Sequence, residues 1–112
     1  MKEWIEIHWT AGSIDEARRI CRFLVQEKLV ACAQITPWVE SIYLWNNQLE
    51  TAQESKVTLK TRLCHFEEIC QVIKKNCTYE VPQLLYTHFD GGAEPYMSWL
   101  DESTASTARS GG

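Results

Sequence analysis

Sulfur is the first chemistry that this 112-residue chain offers: Cys21, Cys32, Cys64, Cys70 and Cys77, beside the histidines His8, His65 and His88. Thiolates are soft ligands that favour Cu(I) and related ions, whereas carboxylates and carbonyls suit harder ones. Neither Cys-x-x-Cys nor His-x-x-x-His occurs, so the spacing does not support a closed zinc site. Cys21 and Cys70 recur with apolar residues at helical spacing and read as small core residues. Cys64-His65 opens a helix, where a thiol pKa can fall, but adjacent helical residues point in different directions. Cys32 sits on a strand and Cys77 in a loop beside Tyr79, which makes them the candidate metal or redox sulfurs. His8 and His88 fall on strands and read as hydrogen-bonded structural residues. No Ser-His-Asp order, paired-carboxylate geometry or glycine-rich phosphate loop is present, so the chain reads as a non-enzyme.

The element that must position these groups is a long hairpin from Ala31 to Leu63. Val39, Ile42, Tyr43, Leu44 and Trp45 have the composition of a strand. Asn46-Asn47 tolerates positive φ and suits a hairpin turn, after which the chain is again extended. Arms of about fifteen residues at ~3.3 Å each give a length of about 50 Å. A compact domain of this size is only about 35 Å across, so the hairpin must bend or project. Val57, Leu59 and Leu63 alternate with Thr58, Lys60 and Arg62, the pattern of a half-buried strand. Glu50 to Ser55 has no apolar face, while Val39 to Trp45 is apolar on both, and Pro37 marks the change. These patterns predict a distal arm beyond the domain's own core, buried by another subunit.

Around the hairpin, residues 3–10 alternate as a first strand, and Ser13-Ile14-Asp15-Glu16 has the form of a capping box opening a helix to about Lys28. A second helix from Cys64 carries Phe66, Ile69, Cys70 and Ile73 on one face, with Asn76 as its C-terminal cap. Val81 to Phe89 reads as a fourth strand, and Pro95 starts a short final helix with Tyr96, Trp99 and Leu100. The order β-α-β-β-α-β predicts an α+β, ferredoxin-like sandwich with both main helices on one sheet face. The other face would carry Glu6, His8, Cys32, Gln34, Thr58, Lys60 and Arg62, too polar for a core and suited to a wet inter-subunit surface. Residues 1–102 form a single domain, and 103–112 a low-complexity tail.

A net charge of −4 and a pI near 5.3 argue against nucleic acid as a partner. No run of eighteen apolar residues and no signal-peptide pattern is present, so neither a membrane span nor secretion is expected. Five cysteines in such a chain predict reduced thiols in the cytoplasm.

One ordered set of motifs remains: Glu27-Lys28-Leu29-Val30-Ala31-Cys32-Ala33, Ser41-Ile42-Tyr43-Leu44-Trp45, Leu49-Glu50, Glu54, Lys60-Thr61, Tyr79-Glu80-Val81-Pro82 and Tyr96-Met97-Ser98-Trp99-Leu100. In this set, from about residue 5 to residue 101, the chain resembles the divalent-cation-tolerance (CutA) family. The resemblance implies a ferredoxin-like protomer in a tight homotrimer like the PII signalling proteins, linked to tolerance of copper and other divalent metals, with no established reaction. It also implies an inter-subunit cleft built from Trp45, Glu50, Glu54, Lys60, Tyr79, Glu80 and Trp99. The chain departs from metal-binding members, which carry a cysteine at the position of Trp9 and a histidine pair at Asn76-Cys77. Thr78 replaces the usual proline, and Trp45-Asn46-Asn47 replaces a Trp-x-Gly turn. The ligands left are the sulfurs of Cys32 and Cys77, which point to Cu(I) or another soft or divalent metal. Two functions follow: a metal-binding or metal-responsive homotrimer, or a PII-like trimeric scaffold holding a small ligand or partner protein in its clefts without metal.

Overall fold

Ile5, Ile7 and Trp9 alternate with polar neighbours, and in the computed structural model, which describes residues 3–107, they lie fully buried along β1 (Trp4–Ala11). The Ser13 side chain accepts the Glu16 N–H at 3.1 Å and starts α1 (Ile14–Gln26). The helix ends on Lys28 at φ 59°, with Lys28 N–H donating to Val25 O and Leu29 N–H to Leu24 O. That bond pair closes a helix over a left-handed residue and satisfies its last carbonyls. The hairpin is β2 (Cys32–Trp45) and β3 (Gln48–Arg62), joined through Asn46 and Asn47 at φ 52° and 64°, both in the left-handed region that this tight turn requires. One turn of 3-10 helix, Leu63–His65, precedes α2 (Phe66–Asn76), where the Asn76 amide donates to Val72 O at 2.7 Å. β4 (Leu84–Phe89) and α3 (Glu94–Ser103) complete the chain. The fourth strand therefore starts three residues later than its composition suggests. Val81 is 88% exposed, and Pro82 has no N–H for the ladder.

The four strands pair antiparallel in the order β2-β3-β1-β4, the ferredoxin-like α+β arrangement expected. On the helix-covered face, Ala33, Leu59, Ile7 and Tyr86 form one row, and Ile35, Val57, Trp9 and Leu84 the next. Ala17, Ile20, Leu24, Ile69 and Ile73 of α1 and α2 close over these rows. Each large side chain so buried stabilises the fold by about 1.5–3 kcal/mol.

A bulge interrupts the hairpin. Thr36 pairs with Lys56 but Val39 with Glu54, so Pro37 and Trp38 stand against Ser55 alone. The Ser55 hydroxyl donates to the carbonyl of Pro37 at 2.7 Å. The extra residue exchanges the faces of β2. Cys32, Gln34 and Thr36 share the open face before it, and Val39, Ser41, Tyr43 and Trp45 after it. The molecule is 45 Å along its longest axis, with a radius of gyration of 14.8 Å. A compact domain of this length has about 13 Å.

The open face is not open throughout. Trp4, Ala31 and Leu100 form a second small core there with Phe89 and Met97, and α3 covers it. Arg62, expected on the wet face, is instead 7% exposed beside α3. It donates to the Asp101 carboxylate at 2.6 Å and to Thr104 Oγ1 at 2.9 Å, and lies over the Trp4 ring. Packing extends past residue 102. Thr104 is buried, Ala105 N–H donates to Lys28 O at 3.0 Å, and the buried His65 Nε2 donates to Ala105 O at 2.7 Å.

Candidate functional site

The distal arm presents apolar side chains to solvent on both faces. Ile42, Leu44 and Leu49 are 63%, 69% and 71% exposed, and Trp45 at the tip is 66% exposed beside Gln48. Glu50, opposite Tyr43, is exposed as well. Trp38, next to the bulge, is also largely exposed.

The remaining cleft candidates fall into two neighbourhoods rather than one. In the first, the Tyr79 hydroxyl donates to the Glu54 carboxylate at 2.7 Å. Partial burial, and then this hydrogen bond, push the Tyr79 phenol up to about 12, so it is a neutral donor at physiological pH. The Glu16 carboxylate anchors the loop, accepting Gly12 N–H at 3.2 Å and Thr78 N–H at 3.0 Å. Gly12 lets the loop in, because a Cβ there would stand 2.9 Å from the Thr78 hydroxyl. Glu80 is exposed on the same loop. In the second neighbourhood, Lys60 Nζ donates to Gln34 Oε1 at 3.3 Å and to the Tyr96 hydroxyl at 3.5 Å. The Tyr96 ring packs against Trp99 with centroids 5.6 Å apart. Glu16, Gln34 and Tyr96 thus join the site through contacts that the motifs did not announce. Glu16 was visible as a capping-box residue, Gln34 on the open face with Lys60, and Tyr96 in the motif that carries Trp99, but their contacts were not.

The five thiols separate by environment. Burial pushes Cys21 up to about 12 and raises Cys70 as well, so both stay protonated core residues, as their spacing suggested. Cys64 is exposed at the 3-10 turn. Cys77 is half-buried against the core, and its thiol donates to Tyr79 O at 3.2 Å. Cys32 is half-buried on the open face in a row with Lys60 and Glu6. Cys77 lies near Gly12, about six strand residues or ~20 Å from that row, so one protomer does not bring the two sulfurs to one ion. Among the described residues no group of three or more His, Cys, Asp or Glu side chains is placed to hold a metal ion. Trp9 fills the core with its indole N–H buried and unpartnered, and Asn76, inside the last turn of α2 with Cys77 rather than itself as the C-cap, donates its side-chain amide to Val72 O. A metal cage within one protomer does not fit these residues.

No helix among the described residues is long and apolar enough to cross a membrane. Residues 5–103 match the family model of the CutA1 divalent ion tolerance protein. The divalent-cation tolerance protein CutA of Archaeoglobus fulgidus is 33% identical over 97 residues, which cover 87% of this chain and 94% of that protein. The chloroplastic protein CutA of Arabidopsis thaliana is 31% identical over 100 residues, 89% of this chain and 55% of that protein. The chain thus spans about half the length of the plant relatives it matches. The crystal structure of CutA1 from Oryza sativa superposes with a TM-score of 0.90 at 30% identity, covering 94% of this chain and 96% of that one. The family model and the Archaeoglobus relative are named for divalent-ion tolerance, and none of these names refers to a catalysed reaction. With matching fold, motif order and near-complete coverage, the chain belongs to the CutA1 divalent ion tolerance family.

Proposed function

We propose that this protein is a homotrimeric, metal-responsive binding protein of the divalent-cation-tolerance type, acting in the cytoplasm without catalysing a reaction. The observation that carries the reading is the exposed apolar arm. Ile42, Leu44, Trp45 and Leu49 are each more than half exposed. Covering them would contribute roughly 1.5–3 kcal/mol apiece, the scale expected of an obligate interface. The arm of one protomer laid against its neighbours would bring open sheet faces together, and with them one Cys32 from each copy. Thiolates gathered in that way favour Cu(I) over Zn(II), for which a lone cysteine is a poor ligand set. Cys77, already hydrogen-bonded, is the weaker candidate. A second reading, a PII-like scaffold for a small ligand or partner protein, is supported by the cation of Lys60 beside the exposed Tyr96 and Trp99 rings.

Light scattering at low micromolar concentration should give three times the 13.0 kDa chain mass. Cu(I) competition against a chromogenic chelator should show binding by the wild type, loss in Cys32→Ser and a smaller loss in Cys77→Ser. Unchanged affinity in the double variant eliminates both sulfurs. A trimer that binds no Cu(I) supports the scaffold instead.

A further inference from the structure

The open face holds a pocket of about 260 Å³ whose polar walls are His8, Thr10, Ser41, Lys56 and Gln83, with Val39 as an apolar side. The bulge completes it, because the extra residue in β2 turns Val39 and Ser41 to the same face as Lys56 and Thr10. In a chain of net charge −4, with fifteen Asp and Glu residues, no carboxylate lines this space. The nearest same-face acid along β3, Glu54, already accepts the Tyr79 hydroxyl. Lys56 has no ion-pair partner among the described residues. The Thr10 hydroxyl donates to Gln83 Oε1 at 3.0 Å, which leaves both amide hydrogens of Gln83 uncommitted. The Ser41 hydroxyl has no hydrogen bond to the described residues, and neither has the His8 ring, which is therefore not the hydrogen-bonded structural residue that its strand position suggested. Unused donors around one ammonium, with no carboxylate among the lining residues, match an acceptor-rich anion. The volume is that of about nine waters at ~30 Å³ each, below the range of drug-sized pockets.

We propose that this pocket binds a small oxyanion, an inorganic phosphate or a short carboxylate, held by Lys56, Ser41, Gln83 and His8. The site is separate from both candidate sulfurs and does not depend on metal binding. The test is calorimetric titration of the assembled full chain in phosphate-free, low-salt buffer, with inorganic phosphate and with succinate as separate probes. Saturable binding of either probe at one per protomer supports the proposal, and the probe that binds tells phosphate from carboxylate. Lys56→Gln should weaken it at least tenfold (about 1.4 kcal/mol). Ser41→Ala should cost less, and Lys74→Gln on α2 should change nothing. Light scattering on each variant confirms that assembly is retained. No saturation by about 10 mM with either probe, or equal affinity in Lys56→Gln, overturns the proposal. So does a wild type that binds neither probe while Lys56→Gln weakens assembly, since a partner's carboxylate would then fill the space.

Discussion

Replacing Glu16 with alanine should loosen the loop that carries Cys77, Tyr79 and Glu80 without touching any of them. Glu16 is 5% exposed, and its carboxylate accepts two backbone N–H groups, from Gly12 at 3.2 Å and Thr78 at 3.0 Å. A hydrogen bond to a charged group contributes about 1.5–3 kcal/mol, and a buried donor left without an acceptor costs about 1–3 kcal/mol. The two bonds are long and partly buried, so the lower part of each range applies, and Glu16→Ala should cost about 2–4 kcal/mol. Glu16→Gln keeps one carbonyl oxygen and sets an amide against the other donor, and should cost about half as much. Urea unfolding at one fixed protomer concentration measures both, because the stability of the proposed trimer would depend on concentration. Amide exchange at Thr78 should quicken more than exchange in the buried centre of β1. If Glu16→Ala unfolds within about 0.5 kcal/mol of the wild type, as ordinary surface substitutions do, the carboxylate does not anchor the loop.

Tyr79 gives a pH prediction with a definite sign. Its phenol is held up to about 12 against an ordinary value of 10.0, so it favours the folded state fully below about pH 10 and loses that contribution as the pH rises towards 12. Tyr79→Phe should flatten the alkaline fall in stability, leaving the part due to the buried Cys21 thiol, and an identical slope in the variant would remove Tyr79 from the explanation. Trp45→Asp should weaken assembly far more than it alters the circular dichroism of the protomer, since it sets a charge in a surface that association would dry. A Trp45→Asp protein that remains trimeric at unchanged thermal stability would place that ring in solvent.

What could be read from the chain was local. Asn46-Asn47 announced the turn because few residue pairs accept two successive left-handed conformations, and Ser13 announced α1 through a bond three residues long. Alternation in β1 and in Val57–Leu59 settled which face meets the helices. Long-range pairing was not legible. Arg62 looks like one more polar residue on the solvent side of a strand, and only the arrival of Asp101 and Thr104 some forty positions later buries it. Glu16 reads as a capping residue, yet its second partner, Thr78, is 62 positions away. Composition also misplaced the start of β4, because a β-branched Val81 favours a strand while Pro82 denies it a ladder bond. Of the candidate site, the sulfurs and the cleft residues were visible as residue types, but their division between two neighbourhoods depends on how the α2–β4 loop and α3 fold back over the sheet.

The bulge at Pro37 and Trp38 gives the hairpin something like a reading frame. Deleting either residue would leave two steps in β2 against two in β3, a regular pairing in which Val39–Trp45 keep their present faces and only the local kink is lost. Keeping both residues but drawing the extra one into the regular ladder would instead exchange Tyr43 and Trp45 for Ile42 and Leu44 on the open face, a change hydropathy would scarcely register because this segment is apolar on both sides. Shape would, since two aromatic rings and two aliphatic side chains would trade places, and Ser41 would leave the wall it shares with Lys56. Paired insertions of two residues in each strand beyond the bulge keep both register and faces and only lengthen the arm. Natural variation in hairpin length should therefore accumulate in matched two-residue steps towards the tip, with an unmatched single-residue deletion tolerated at residues 37–38, where it removes the bulge and keeps the distal faces.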